Sequence, residues 1–207
     1  MKIVFATNNP GKLHEAQGIL GDGFELVTPA EAGITEEIPE DGDTLQANSI
    51  QKAQYIYDKT GMDCFADDSG LEVDILGGGP GVHTARYGGP QRDPAANIAK
   101  LLSEMARLEK EASMARSYGI ATPNATRKAR FRTSVTLILD GEKHFFDGVM
   151  EGRIARSCSG HGGFGYDPVF IPDGYAITNA ELPDGGKNAI SHRGKALRAM
   201  AEYLKGR

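Results

Sequence analysis

Three consecutive polar residues and a glycine, Asp67-Asp68-Ser69-Gly70, follow the apolar run Cys64-Phe65-Ala66. Two carboxylates and a hydroxyl at the end of a predicted strand are typical of acid-base chemistry. Neighbouring strand residues point to opposite faces, so at most one of Asp67 and Asp68 faces a given cleft unless the chain turns there. Gly70 makes a turn easy, and a polar turn that only ends the strand is the alternative interpretation.

A further carboxylate, Glu40, precedes a helix that is predicted to start at Thr44 and to carry Lys52 two turns along. Magnesium prefers oxygen ligands and is usually held by one or two carboxylates, with substrate phosphates completing its shell. We therefore predict Glu40 and Asp68 as metal ligands. The alternative is that the acidic connection from Glu31 to Asp43 is only a solvated face.

An anion site is predicted where a short strand, Lys2 to Ala6, runs into Thr7-Asn8-Asn9-Pro10-Gly11-Lys12. Asn9 is a suitable N-cap and Pro10 a suitable first helical residue. Free backbone N–H groups and the helix dipole both favour negative charge at such a start. Lys12 adds a positive charge that does not favour the helix itself; an ordinary surface lysine is the alternative interpretation. The stretch is not a Walker A loop, which needs a Ser or Thr after the lysine.

Two later stretches also combine groups that could bind a nucleotide. Gly160 to Phe170 contains four glycines with the rings of Phe164 and Tyr166 next to them, which suits stacking on a base, although such rings more often pack into a core. Lys187 to Gly194 leads into a closing helix with Ser191 as its N-cap. His192 and Arg193 then lie in the first turn, where Arg193 is misplaced unless an anion or a carbonyl lies opposite.

The composition indicates the class of protein. The 207 residues fit one large domain or two small lobes. A net charge of -5 argues against a general binder of nucleic acid or anionic membranes. No apolar run is long enough to span a bilayer, so the default compartment is the cytoplasm. Cys64 and Cys158 provide neither a disulfide framework nor a zinc spacing.

Periodicity and turn residues predict the remaining elements. Further strands are expected at Phe24 to Val27 and at Phe131 to Asp140, with a hairpin partner from His144 to Met150. Leu71 to Leu76 is an alternating run. Helices are expected from Thr44 to near Gly61 and from Asp93 onward. The polar stretch from Glu109 to Arg130 is expected to be a surface excursion or a flexible loop.

The pieces together resemble the inosine triphosphate pyrophosphatase family. The resemblance covers nearly the whole chain and rests on five stretches: Ala6 to Lys12, Ala66 to Leu71, Pro80 to Tyr87, Gly163 to Pro168 and Ala189 to Gly194. It implies an α/β fold with a long mixed β-sheet, flanking helices, and two lobes with the active site in the cleft between them. It also implies a homodimer that uses Mg²⁺ to hydrolyse ITP, dITP and XTP to the monophosphate and pyrophosphate, which removes deaminated purines from the nucleotide pool.

The resemblance further implies roles for individual residues. Asp68 would be the general base and a metal ligand, with Glu40 on the metal and Asp67 as a helper. Thr7 to Lys12 would bind the phosphates together with Lys52, Ser69 and Lys187. Residues Phe164 to Asp167, here called the aromatic loop, would hold the nucleoside. His192 and Arg193 at the start of the last helix would read the 6-oxo group of the base. The substrate-binding residues are then Thr7, Asn8, Asn9, Pro10, Gly11, Lys12, Lys52, Ser69, Phe164, Gly165, Tyr166, Asp167, Lys187, His192 and Arg193.

One departure leaves two rival hypotheses open. The family's helix usually reads T-F-x-E-N-A, whereas Ala47 stands here at the position of the glutamate, so metal binding would depend on Glu40 and Asp68. A nucleotide sensor without turnover is the first rival. The second is an enzyme of the same fold that acts on other nucleotides, as the broader Maf-like relatives do.

Overall fold

The structure, a computed structural model, describes residues 1–122 and 125–206, with the backbone alone at residues 184 and 185. Seven strands and five helices form the described part of the chain. In chain order they are β1 (Lys2–Phe5), α1 (Pro10–Leu20), β2 (Glu25–Val27), α2 (Leu45–Thr60), β3 (Cys64–Val73), β4 (Pro80–Gly81), α3 (Pro94–Ser117), β5 (Lys128–Leu139), β6 (Glu142–Ile154), β7 (Phe170–Pro172), α4 (Asp184–Ile190) and α5 (His192–Lys205).

The strands form one mixed sheet in the order β2-β1-β3-β5-β6-β7, with β4 paired to β3. β1 is parallel to both β2 and β3, whereas the pairs β3/β4 and β6/β7 are antiparallel. The predicted α/β fold with a long mixed sheet and flanking helices is confirmed. No helix in the described ranges is long and apolar enough to cross a bilayer.

The chain divides into two compact units. The first consists of Met1–Ser69, Arg132–Val149 and Asn188–Arg207. The second consists of Gly70–Phe131 and Met150–Lys187. In the first unit Phe5 and Phe65 stack with their ring centroids 4.3 Å apart, and in the second the Phe131 and Phe170 rings are 4.7 Å apart. Each unit therefore has an aromatic pair in its own core.

Local signals predicted the helix starts correctly. The side chains of four residues at the expected starts accept hydrogen bonds from backbone N–H groups of the first helical turn, namely Asn9, Thr44, Asp93 and Ser191. The expected hairpin between β5 and β6 is also present: Asp140 and Gly141 have φ values of 51° and 84°. Positive φ at both central residues is typical of the two-residue hairpin turn.

The predicted end of the strand at Asp67 to Gly70 is wrong, and so is the alternative of a polar turn there, because β3 continues without a break from Cys64 to Val73. Asp67, Asp68 and Ser69 therefore lie within a strand, not at its end. The alternating run from Leu71 to Leu76 belongs to β3 only as far as Val73, and Asp74–Leu76 forms a short 3-10 helix.

The prediction of a surface excursion from Glu109 to Arg130 is also mostly wrong. Helix α3 continues to Ser117 and β5 begins at Lys128; residues 123 and 124 of the remaining connection lie outside the described residues. The Glu109 carboxylate pairs with the guanidinium of Arg127 at 2.8 Å. This ion pair joins residues 18 positions apart, so no local periodicity could indicate it.

We predict that Gly148→Ala destabilises the first unit. A Cβ atom built on Gly148 in β6 would overlap the carbonyl oxygen of His192 and lie 2.9 Å from the backbone nitrogen of Ala196. Neither backbone atom can move without shifting α5, so the free energy of unfolding should fall by about 1–3 kcal/mol, as for overpacked cores.

Urea denaturation measures this change, and Gly18→Ala is its control. Gly18 lies inside α1 with no heavy atom within 4 Å of a built Cβ, so alanine there should raise the free energy of unfolding by about 0.5–1 kcal/mol. A Gly148→Ala protein as stable as the wild type would contradict the close approach of β6 and α5.

Candidate active site

The two adjacent aspartates on β3 lie in different surroundings. The Asp67 side chain is wholly buried, whereas the Asp68 side chain is 13% exposed. Asp67 contacts Lys12 and Arg193, and Asp68 contacts Asn48 and Lys52. This follows from the unbroken strand, because successive side chains of a strand point to opposite faces.

The first cluster, here called the Asp67 network, joins α1, β3 and α5. Lys12 Nζ lies 2.9 Å from Asp67 Oδ1, and Arg193 Nε donates to Asp67 Oδ2 at 2.9 Å. Arg193 Nη1 also donates to Glu15 Oε2 at 2.5 Å, and Ser191 Oγ donates to Glu15 Oε1 at 3.1 Å. Two carboxylates therefore balance two cations in this network.

Ser69 extends the Asp67 network to β5. Its hydroxyl lies 2.7 Å from the hydroxyl of Thr133 and 3.4 Å from Asp67 Oδ2. Arg193 Nη2 donates to the same hydroxyl at 3.4 Å. Each nitrogen of the guanidinium that can donate thus has an acceptor within the protein.

The charges in this network stabilise one another. Burial alone would raise the pKa of Asp67, but the charges of Lys12 and Arg193 outweigh burial and hold that pKa well below its ordinary value. Burial lowers the pKa of Lys12, and the positive charge of Arg193 adds to this effect. Burial also disfavours the charged form of Arg193, yet Asp67 and Glu15 raise its pKa. Asp67 is therefore an ionised structural carboxylate and not a proton acceptor near neutral pH.

The second cluster, here called the Asp68 site, contains the predicted metal ligands. Asn48 Nδ2 donates to Asp68 Oδ2 at 2.9 Å, and the Ser69 N–H donates to Asp68 Oδ1 at 3.0 Å. Lys52 Nζ lies 3.7 Å from Asp68 Oδ1 and also forms an ion pair with Glu40. One ammonium group therefore lies against both predicted metal ligands.

The electrostatics of the Asp68 site differ from those of the Asp67 network. Burial raises the pKa of Asp68, and the opposing effects of Lys52 and Asn48 do not cancel it. Burial would lower the pKa of Lys52, but the carboxylates of Asp68, Asp67 and Glu40 raise it. Asp68 is thus a better proton acceptor than an exposed aspartate, beside a lysine that stays charged.

The side chains of the Asp68 site decide whether a divalent cation fits there. Within residues 1–122 and 125–206, no group of three or more His, Cys, Asp or Glu side chains could hold a metal ion. Ala47 contributes only a backbone N–H, which Thr44 caps. Glu40 and Asp68 nevertheless supply the one or two carboxylates that Mg²⁺ needs when phosphates complete its shell. The residues therefore fit a cation that binds together with a nucleotide.

The predicted phosphate loop, residues 7–12, follows β1 in the first unit. Asn9 Oδ1 accepts hydrogen bonds from the backbone N–H groups of Gly11 at 2.9 Å and Lys12 at 3.3 Å. The Thr7 hydroxyl accepts from the N–H of Asn9 at 3.2 Å. An anion at this helix start would therefore share these N–H groups with the Asn9 cap or replace it.

A third cluster, here called the Asp167 cluster, lies in the second unit. Lys187 Nζ is 2.6 Å from Asp167 Oδ2 and 4.7 Å from the centroid of the Phe164 ring. The Phe164 N–H donates to Asp167 Oδ2 at 2.8 Å. The Tyr166 ring is buried and its hydroxyl donates to the carbonyl of Thr84 at 2.9 Å. Of the two aromatic rings of the loop, Phe164 is the exposed one.

The predicted site residues therefore fall into clusters by unit. The first unit brings together Lys12, Ser69 and Arg193 around Asp67, and Glu40 with Lys52 at Asp68. The second unit brings Phe164, Asp167 and Lys187 together. The predicted roles of these residues toward a nucleotide stay predictions, as does the cleft between two lobes.

Glu15 and Asn48 contact the predicted site residues but were not predicted from the sequence. Asn48 lies four residues before Lys52 on α2, and this spacing puts both on one helix face, so a signal was available. Glu15 had no comparable signal, because its partner Arg193 lies 178 positions away.

Comparison with known proteins shows full-length similarity to one family. A model of the Ham1 family matches residues 3–203. A dITP/XTP pyrophosphatase of Porphyromonas gingivalis is 46% identical over 203 residues, which cover 98% of this chain and 97% of the relative. A dITP/XTP pyrophosphatase of Bacillus subtilis is 43% identical over 205 residues, covering 98% and 96%.

Solved structures agree with this result. A HAM1 protein from Coxiella burnetii has a TM-score of 0.87 at 34% identity, with 100% of both chains covered. A nucleoside-triphosphatase / dITP/XTP pyrophosphatase from Mycobacterium abscessus has a TM-score of 0.74 at 41% identity, covering 97% of this chain and 98% of that one.

We predict that Asp67→Asn is strongly destabilising. The change leaves Arg193 and Lys12 buried without their counter-charge, which should cost about 3–5 kcal/mol, as for other broken buried ion pairs. Folding lowers the pKa of the Asp67 carboxyl from its ordinary value of 3.8. The ionised carboxylate therefore stabilises the protein fully above about pH 4, and this stabilisation is lost progressively as the pH falls below that value. The difference between variant and wild type should therefore shrink below about pH 4.

Chemical denaturation at several pH values measures this difference. Glu25→Gln is the control, because the pair Lys2–Glu25 is exposed on both sides and should contribute only about 0–1 kcal/mol. If both variants lost the same free energy of unfolding, the buried Asp67 ion pairs would stabilise the protein no more than an exposed pair does.

Proposed function

Because this chain belongs to the Ham1 family, we propose that it hydrolyses the deaminated purine nucleoside triphosphates ITP, dITP and XTP to the nucleoside monophosphate and pyrophosphate. The names of the relatives from Porphyromonas gingivalis and Bacillus subtilis support this activity. The observation that carries the proposal is the Asp68 carboxylate, which Asn48 holds at 2.9 Å beside the charged Lys52.

In the proposed reaction, water attacks the α-phosphorus. The new P–O bond forms as the bond to the bridging oxygen of the β-phosphate breaks, and pyrophosphate leaves. Asp68 orients the water and accepts its proton. Burial raises the pKa of Asp68, which favours proton acceptance, whereas a cation bound to the same carboxylate would lower that pKa.

Lysines would neutralise the charge on the phosphate oxygens, which is the main requirement of phosphoryl transfer. Lys12 lies at the start of α1 and Lys52 on α2, each paired with a carboxylate. The loop from Thr7 to Lys12 and the hydroxyl of Ser69 would add hydrogen-bond donors. All of these groups belong to the first unit.

We propose Mg²⁺ as the cofactor, with Glu40 and Asp68 as its protein ligands. When bound, the ion would neutralise charge on the phosphate oxygens. The two carboxylates support this assignment, and substrate phosphates would supply the remaining ligands.

The proposed nucleoside contacts are residues Phe164 to Asp167 together with Lys187. His192 and Arg193 would read the base, as the resemblance implies. Arg193 is 2% exposed and donates to Glu15, Asp67 and Ser69, so it holds the start of α5 and would meet a base only by exchanging one of these hydrogen bonds. His192 is the half-buried neighbour at that start. We also propose a homodimer located in the cytoplasm, which light scattering and cell fractionation can test.

Release of pyrophosphate from ITP, XTP, dITP, GTP and ATP, with and without Mg²⁺, tests the proposed function. We expect Mg²⁺-dependent release from the first three far above release from GTP and ATP. Asp68→Asn should reduce that release by about 10²–10⁴-fold, the usual contribution of a general base. A melting temperature close to that of the wild type would show that the variant is folded.

Two other outcomes would favour the rival functions. Tight ITP binding without pyrophosphate release would indicate a nucleotide sensor, which Ala47 and the two-carboxylate donor set favour. Preferred release from pyrimidine triphosphates would indicate an enzyme of the same fold with another substrate.

We predict that Lys52→Met strengthens binding of a divalent cation in the absence of nucleotide. The Lys52 ammonium lies against both Glu40 and Asp68, so a cation must compete with it. Removal of this charge should lower the dissociation constant for Mn²⁺ by about tenfold, since one nearby charge is commonly equivalent to about 1 kcal/mol or more. Nucleotide binding should weaken in the same variant.

Electron paramagnetic resonance of free Mn²⁺ measures this affinity without turnover. Lys59→Met is the matched control: Lys59 lies on the same helix, is exposed, and pairs with Glu36 at 3.0 Å. Equal Mn²⁺ affinities in the wild type and Lys52→Met would contradict the assignment of Glu40 and Asp68 to the metal.

A further inference from the structure

The Asp167 carboxylate is committed to partners within the second unit. Asp167 is 5% exposed. Its Oδ2 accepts from the Phe164 N–H at 2.8 Å and from Lys187 Nζ at 2.6 Å, and its Oδ1 accepts from Asn179 Nδ2 at 3.1 Å. A carboxylate offers about four acceptor positions, so three of them are used by the protein. Asp167 is therefore placed to organise its neighbours more than to contact a ligand.

Two of those neighbours present the groups that a nucleotide could use. The Phe164 ring is 49% exposed, and the Lys187 ammonium lies 4.7 Å from its centroid, within the range of a cation–π contact. A Cβ atom on Gly163 would overlap the Asp167 carboxylate. The loop thus passes against the carboxylate, and the positions of the ring and of the ammonium both depend on where Asp167 lies.

Asn179 holds Asp167 from the other side. It is 1% exposed, and its Oδ1 has no hydrogen-bond partner in the part of the chain that the structure describes. The backbone around it is held by Thr178, whose N–H donates to Glu181 Oε2 at 2.8 Å and whose hydroxyl donates to the Ser159 carbonyl at 2.8 Å. A buried amide with an unsatisfied oxygen costs free energy. Its hydrogen bond to Asp167 is the interaction that this residue type provides and an apolar residue would not.

We propose that Asn179 is a positioning residue for nucleotide binding. By fixing the Asp167 carboxylate, Asn179 sets the places of the Phe164 ring and the Lys187 ammonium, which meet the purine nucleotide. This inference rests on the proposed function of the aromatic loop and adds a residue to it. Without the Asn179 amide, the carboxylate can rotate, and the ring and the ammonium lose their common anchor.

The absence of tryptophan from the chain provides a direct test. Phe164→Trp introduces a single indole at the loop, whose emission maximum and acrylamide quenching report its surroundings without any turnover. Asn179→Leu in that background removes the hydrogen bond at similar side-chain size, and Asn179→Ala serves if the leucine variant does not fold. We expect a changed emission maximum and stronger quenching before any nucleotide is added.

Kinetics on the chain with native Phe164 give the second readout. For Asn179→Leu we expect KM for ITP to rise about tenfold, the equivalent of one hydrogen bond to a charged group, with kcat little changed. Leu101→Ala is the control for a general loss of stability: Leu101 is wholly buried in α3 of the same unit. That variant should unfold more easily and leave both KM and the indole signal unchanged.

The proposal would be overturned if Asn179→Leu lowered stability as Leu101→Ala does, with unchanged indole emission, quenching and KM. Failure of the proposed function is a separate result: it would appear as no release of pyrophosphate from any nucleotide by the wild type. The indole signal without nucleotide then still decides whether Asn179 positions the loop.

Discussion

A carboxylate removed from water must be surrounded by cations and hydrogen-bond donors, and the buried charge of Asp67 imposes this requirement on the first unit. Lys12 from α1 and Arg193 from α5 meet it. Arg193 is itself buried and needs a second anion, which Glu15 provides. The two helices are thus held to the centre of the sheet by charge as well as by apolar packing. The loop before α1 and the start of α5, both expected to bind substrate, take their places from this network.

The alternation of side chains along β3 separates two kinds of charge. Asp67 points into the protein, where two cations keep it ionised. Asp68, one residue later, points to the opposite face, where burial raises its pKa and one lysine is near. Adjacent aspartates on an unbroken strand can therefore have different roles. Asp67 stabilises the fold, and Asp68 is available to accept a proton.

Each lysine expected to bind phosphate is paired with a carboxylate of the protein. Lys12 pairs with Asp67, Lys52 with Glu40, and Lys187 with Asp167. A phosphate bound at such a lysine would take the place of the carboxylate or lie beside it. The lysine would therefore have a counter-charge both before and after binding. The ammonium of Lys52 lies against both Glu40 and Asp68, so a divalent cation of the kind proposed above would have to compete with it.

Features whose physical cause lies within a few residues could be predicted from the sequence. The caps at Asn9 and Ser191 and the hairpin turn at Asp140 and Gly141 are local hydrogen bonds and local backbone conformations. The division between Asp67 and Asp68 follows from strand alternation, once β3 is known to be continuous. Five short stretches in a fixed order were also sufficient to indicate the family.

Contacts between residues far apart in the chain could be seen only in the tertiary structure. Gly70 permits a turn, yet the strand continues because β4 pairs with β3 at Leu71 and Glu72. The guanidinium of Arg193 lies in a buried network because Glu15, 178 positions away, meets it there. Asn179 reaches Asp167 only through the fold of the loop between them. Such pairings depend on packing and on the balance of buried charge, and neither leaves a periodic signal in the sequence.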